Sequence, residues 1–231
     1  MTAVWAHRGA SAAERENTLA AFAAAVAMGA DGVELDVRRT ADGALAVHHD
    51  AVLADGRPLV ELTAAELPAH VPLLDAALDA CGDLVVNVEV KNLPGEPDHD
   101  PDERVAEAVA RLVVAEGLQE RILVSSFNLL AIDRCVAVDP SVPTGFLVLL
   151  APDRDVAGRI VDRARRHGHR AIHPHHVGVT PYLVEHCAAV GLACNTWTVD
   201  DPQRMRELAA LGVDAIVTNV PDLALETLRS A

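Results

Sequence analysis

Residues 29–50, GADGVELDVRRTADGALAVHHD, hold two short apolar runs divided by a turn, and their reading decides the fold. In VELDV, residues 33–37, successive strand side chains point to opposite faces. Val33, Leu35 and Val37 therefore share one side, and Glu34 and Asp36 share the other. Only RRTADG, residues 38–43, separates this run from the next. A parallel crossover needs about a dozen residues, and Asp42-Gly43 is a strong hairpin signal. The two runs are therefore expected to pair antiparallel.

Outward from this hairpin, short β-rich apolar runs alternate with stretches of helical periodicity, the pattern of βα units around a parallel sheet. Nine strands are expected: Ala3 to His7, Gly32 to Val37, Ala44 to His49, Leu84 to Lys91, Arg121 to Ser125, Thr144 to Leu149, Arg170 to His173, Leu192 to Val199 and Asp214 to Thr218. Setting aside the hairpin's return strand leaves eight, seven of them followed by room for a helix, with a closing helix from Pro221. Eight βα units predict an α/β fold, a TIM (β/α)8 barrel with a small hairpin and loop excursion after its second strand.

Helix signals fit this frame. Asp100-Pro101-Asp102-Glu103 reads as a capped, acidic helix start, and Asp201-Pro202 repeats it for a helix ending near Gly212. After a cap at Asn17-Thr18, Leu19, Phe22 and Val26 fall on one helical face. Residues 51–71 break the rhythm but are too few to fold alone, so residues 1–231 are read as a single domain with a short insertion. The Pro- and Gly-containing loop of residues 92–98 follows a strand end, the active face of such a barrel.

With 51% hydrophobic residues the chain can bury a sizeable core, and 19 Lys and Arg against 34 Asp and Glu leave a net charge of −15. That field repels nucleic acid and anionic membrane surfaces. No apolar stretch is long enough to span a bilayer, and the start MTAVWAHRGA does not resemble a secretory leader, so a cytoplasmic location is expected. Cys81, Cys135, Cys187 and Cys194 show no C-x-x-C spacing and read as reduced, buried thiols.

Glu34 and Asp36 must point into the barrel, because the apolar set opposite them faces the helices. In VVNVEVK, residues 85–91, the same alternation sends Asn87, Glu89 and Lys91 inward. Three inward carboxylates unpaired would each cost several kcal/mol. Either a hard divalent ion, Mg²⁺ or Ca²⁺, or an ion-pair network with Lys91 and Arg8 resolves that cost. His7 ends the first strand and His48-His49 end the hairpin's return strand, and only one of the latter two can face the acids. Such imidazoles suit general acid and base work near neutral pH.

Several segments resemble the glycerophosphodiester phosphodiesterase family. AHRGASAAERENTLAAF, residues 6–22, is similar to its HRG and P-E-N-T pieces, and residues 29–50 resemble its long G-A-D-x-V-E-x-D-V-x-x-T-x-D-G-x-x-V-x-H-D signature. VNVEVK, VSSFN, NTWTVDD and GVDAIVTNVPD follow in the family's order, over almost the whole chain. The resemblance implies a metal-dependent phosphodiesterase that cleaves glycerophosphodiesters to sn-glycerol 3-phosphate and an alcohol. It implies His7 and His49 as the acid/base pair, Glu34, Asp36 and Glu89 as holders of one Mg²⁺ or Ca²⁺, and Arg8 and Lys91 on the phosphate. Phe127 and Trp197 match its aromatic positions and are expected to line the glycerol pocket. Arg15 stands where the family has Pro, Asn219 where it has Asp, and the excursion after His49 is short.

Other readings compete. A phospholipase C-like or lysophospholipase D-like enzyme would share the fold, and a phosphodiester-binding module without turnover would share the site. His173-Pro174-His175-His176 would suit zinc, but amidohydrolase-type barrels carry H-x-H on the first strand, where this chain has HRG. His173 is therefore expected to line the substrate pocket. Asp98, His99, Asp100 and Asp102 read as a solvated, capping loop.

Overall fold

The computed structural model describes residues 1–149 and 153–229. Among the described residues nine strands run in chain order as β1 (Ala3–His7), β2 (Gly32–Arg39), β3 (Leu45–Val47), β4 (Val85–Val90), β5 (Ile122–Ser126), β6 (Thr144–Val148), β7 (Ala171–Pro174), β8 (Ala193–Thr196) and β9 (Ala215–Thr218). All but β3 form a closed parallel ring, in which β1 pairs with both β2 and β9. Strand β3 stands outside it, antiparallel on the far end of β2 with Arg38 opposite Ala46. The helices are α1 (Leu19–Met28), α2 (Leu74–Ala80), α3 (Arg104–Ala115), α4 (Leu129–Val138), α5 (Arg154–His167), α6 (Pro181–Val190), α7 (Pro202–Leu211) and α8 (Pro221–Arg229). This is the TIM barrel with its appended hairpin.

The alternation that defines β2 and β4 is what sets their register. Val33, Leu35, Val37, Val86, Val88 and Val90 are buried with Phe22 of α1 and Val105 and Val109 of α3. Fully burying one such side chain contributes about 1.5–3 kcal/mol. A one-residue slip would forfeit all of these and drive carboxylates into the apolar layer.

Three local expectations need correction. On α1 the buried residues are Ala21, Phe22 and Ala25, whereas Leu19 and Val26 are exposed. Small side chains let the chain pass close over that face: a Cβ on Gly9, whose φ is +81°, would lie 2.6 Å from the backbone of Ala21. Helix α3 begins only at Arg104, because Asp100 instead accepts from the Asp102 amide and Glu103 turns its carboxylate inward onto Asn92 and Asn128. Strand β3 stops at Val47, which leaves His48 and His49 on the loop beyond it.

Residues 51–71 carry two single 3₁₀ turns, at Leu59–Glu61 and Ala64–Glu66. Their Leu53, Leu59, Leu62 and Val71 pack on Ala46 of β3, so the excursion borrows its core from the hairpin.

Candidate active site

Strands β2 and β4 bring Glu34, Asp36 and Glu89 together inside the C-terminal mouth of the barrel, all buried. One oxygen from each lies within 4.8 Å of the other two. Glu34 Oε2 accepts from the Arg8 backbone N–H at 3.0 Å, but Glu34 Oε1 is buried with no hydrogen-bond partner, as is Asn87 Oδ1. Asp36 Oδ2 accepts from Asn17 Nδ2 at 2.8 Å. Asp36 Oδ1 lies 3.0 Å from Lys91 Nζ, outside hydrogen-bond geometry. Orphaned oxygens in an all-oxygen set fit a hard divalent cation held by Glu34, Asp36 and Glu89.

Lys91 also contacts Glu89, and the Arg8 guanidinium reaches Asp36 at 3.2 Å and Glu16 at 2.9 Å. Burial drives Glu34 up to about 8, with Asp36 adding to the rise, and drives Glu89 up to about 7. For Asp36, burial is outweighed by Lys91 and Arg8, which hold it below the ordinary carboxylate value. Two cationic side chains do not balance three carboxylates, so the glutamates retain protons to higher pH. A divalent cation among them would supply the missing charge.

His7 ends β1, and Arg8 follows in the left-handed conformation, φ +56°. Its Nε2 lies 3.9 Å from Glu34 Oε2, and its Nδ1 lies 2.7 Å from Asn219 Oδ1. Asn219 Nδ2 lies 2.6 Å from Asp200 Oδ2, and a carboxylate there only accepts, so the amide oxygen must face His7. His7 therefore donates from Nδ1 and keeps its Nε2 lone pair toward the acids. His49 likewise contacts Asp50 Oδ1 through Nδ1, at 2.7 Å. Burial, then Arg8, holds His7 below its ordinary value, and burial does the same for His49. Both shifts favour the neutral ring.

A cavity of about 140 Å³ opens over the cluster. His7, Arg8, Glu34, His49, Glu89, Lys91, Phe127 and Trp197 all line it, and Asp36 lies buried beneath. Phe127 and Trp197 meet edge to face, ring centroids 5.4 Å apart. His173 lines the cavity as well, while His48 does not. Among the described residues, His173, His175 and His176 form no metal-binding group.

Four residues whose roles here sequence reasoning did not assign support this arrangement. Asn17 holds Asp36, Asn219 holds His7, and Asp200 anchors Asn219 from the β8 side. Arg38, 2% exposed, donates to the His49 carbonyl at 2.7 Å and to Glu96 and Asp98 at 2.9 and 2.7 Å. The loop after β4 is thereby tied to the loop that carries His49. The Asp98 side chain is 4% exposed in this pair and Asp100 is buried, so those two depart from the expected solvated loop, while Asp102 keeps to it with its side chain 67% exposed. Alternation placed Arg38 with Glu34 and Asp36 on the inner side, the one signal that could have found it.

A family model described as the glycerophosphoryl diester phosphodiesterase family matches residues 7–223. A glycerophosphodiester phosphodiesterase of Caldanaerobacter subterraneus is 30% identical over 99% of this chain and 98% of its own length. The crystal structure of a glycerophosphodiester phosphodiesterase from Parabacteroides distasonis superposes with a TM-score of 0.82 at 27% identity, covering 99% of this chain and 97% of that one. An Oleispira antarctica phosphodiesterase solved with the product sn-glycerol-3-phosphate gives a TM-score of 0.83 over 99% of this chain and 97% of its own. At 24% identity, that likeness is one of fold.

Proposed function

The chain belongs to the glycerophosphoryl diester phosphodiesterase family, and from that membership we propose that it hydrolyses glycerophosphodiesters to sn-glycerol 3-phosphate and an alcohol, using one divalent cation, Mg²⁺ or Ca²⁺. The observation that carries the reading is the convergence of Glu34, Asp36 and Glu89 within 4.8 Å of one another, beside the free Nε2 of His7. Residues 1–231 act in this reading as one catalytic domain, in a cytoplasmic setting. Among the described residues no helix is long and apolar enough to cross a membrane.

Glu34, Asp36 and Glu89 would hold the cation, which supplies Lewis-acid charge to a phosphoryl oxygen when bound. The protein's own groups do the rest. Arg8 and Lys91 bring fixed positive charge to the phosphate, already oriented by their carboxylate partners, so they need no reorganisation as charge develops. His7 and His49 each present Nε2 with Nδ1 already engaged. The neutral ring takes the proton of the attacking hydroxyl at Nε2, while the other must enter as the imidazolium, protonated on both nitrogens, to give its Nε2 proton to the departing alkoxide; exchange with solvent then resets both. Phe127 and Trp197 offer apolar edges to the glycerol carbons. The cavity, about 140 Å³, is smaller than the ~300–1,000 Å³ typical of larger ligand sites. That favours the compact glycerophosphoryl group, with the headgroup left outside.

A coupled assay for glycerol 3-phosphate over several headgroups and divalent ions tests this. Glu34→Gln and His49→Ala should each lower kcat by about 10²–10⁴ in a folded protein. EDTA should abolish turnover, and added Mg²⁺ or Ca²⁺ should restore it. Near-normal turnover in either variant refutes the assignment, and saturable binding without product release would point to a binding module. Preference for micellar lysolipid over soluble diester would move the substrate to the lysophospholipase D class.

A further inference from the structure

We propose that Asp133, His167 and His169 form a second metal site, of the Zn²⁺ type, at the N-terminal end of the barrel, opposite the mouth that holds Glu34, Asp36 and Glu89. His167 is the last residue of α5. Gly168, at φ +87°, turns the chain there, so that His167 and His169 both face Asp133 on α4. His167 Nδ1 lies 2.8 Å and His169 Nε2 3.2 Å from Asp133 Oδ1, and one donor from each residue falls within 4.8 Å of the others.

An ordinary ion pair accounts for only half of this. His167 contacts both oxygens of Asp133, at 2.8 and 3.0 Å, and needs nothing more. His169 is different, because its side chain has no exposure and its Nδ1 is engaged by Thr144 Oγ1 at 2.9 Å. Its Nε2 is then a buried nitrogen with no hydrogen-bond partner, aimed at the carboxylate but outside bonding geometry. In the tautomer whose Nδ1 donates to Thr144 Oγ1, the Nε2 lone pair faces a carboxylate oxygen at 3.2 Å, a repulsive contact that a cation between them relieves.

Two imidazoles and a carboxylate suit Zn²⁺, whereas Mg²⁺ and Ca²⁺ favour oxygen alone. Thr144 Oγ1, at the start of β6, can accept the Nδ1–H of a His169 that ligates through Nε2, the outer-shell contact typical of a ligating histidine. Asp133 and His167 stay partly exposed and leave a route for the ion and a fourth position for water. The bound ion would clamp α4, α5 and the entry to β7 at the end of the barrel that carries stability, away from the chemistry.

The test is Zn²⁺ titration of the full chain by calorimetry, with excess Mg²⁺ filling the oxygen site, repeated with Co²⁺ to read the ligand field. The expected result is one equivalent of Zn²⁺ and an intense, imidazole-type Co²⁺ spectrum. Both should be lost in His167→Gln, a partly exposed position that should still fold, with glycerophosphodiester turnover in Mg²⁺ unchanged. Thr144→Val should weaken Zn²⁺ by about 10- to 100-fold. Glu34→Gln should keep the zinc equivalent, which separates this site from the proposed catalytic one. No Zn²⁺ binding over excess Mg²⁺, or binding that survives His167→Gln, overturns the proposal.

Discussion

Replacing His173 by Gln should make the protein lose less stability on acidification. His173 is 1% exposed, its Nε2 lies 3.1 Å from Asn195 Nδ2, and burial alone drives its pKa from 6.5 down to about 3. Below pH 6.5 the unfolded chain therefore binds a proton at this ring that the folded chain refuses until about pH 3. The unfolded state holds more protons in that window, so stability rises with pH through it. The contribution is complete above the ordinary histidine value and is lost progressively as pH falls. The loss approaches about 1.4 kcal/mol per pH unit. Between about pH 6 and pH 4 it reaches on the order of 2.5 kcal/mol, equivalent to about 5–10 °C in Tm for a chain of this size. Gln keeps an acceptor for Asn195 but cannot titrate. Denaturant unfolding of both proteins over a pH series gives the difference in stability at each pH, from which the other titrating groups, Glu34 and Glu89 included, cancel. Gln will also carry a constant packing cost, so the slope is the quantity that counts. A difference that stays flat within about 0.5 kcal/mol across that range would refute the reasoning.

Two further outcomes follow from contacts that alternation along single strands does not reveal. Asn219→Ala removes the acceptor that holds His7 Nδ1 at 2.7 Å. It should lower kcat by about 10- to 100-fold and shift the pH–rate limb set by His7; an unchanged profile would exclude Asn219 as the residue positioning that ring. Gly145→Ala would put a Cβ 2.5 Å from His173 Nε2. It should cost about 1–3 kcal/mol in the unaltered chain and much less alongside His173→Ala, so an equal cost in both backgrounds of a double-mutant cycle would contradict the clash.

Much of the site was legible before any coordinates, because period-two alternation is a local rule. It sorted Glu34 and Asp36 from Val33, Leu35 and Val37, and Glu89 and Lys91 from their apolar neighbours, and each fell on the side expected. Local reasoning failed where a residue had alternatives of similar energy. Asp100 and Glu103 carry helix-start chemistry, yet the carboxylate of Glu103 found Asn92 and Asn128 inside the fold and the helix started later. On α1 the Ala-rich face won burial over Leu19 and Val26, because close approach of the HRG turn needs small side chains and periodicity does not weigh size.

The amino-acid sequence by itself determined the barrel, its hairpin and the inward donor set, since strand length, turn chemistry and alternation all act over a few residues. Only the closed ring decided the partners. His7 meets Asn219 because β1 pairs with β9, 212 positions along the chain. Arg38 finds Asp98, 60 positions away, and His169 faces Asp133, in each case because neighbouring strands and helices are laid side by side in the barrel. Alternation tells which face a side chain takes. What stands opposite that face is set by which strands share an edge, and no local rule carries that information.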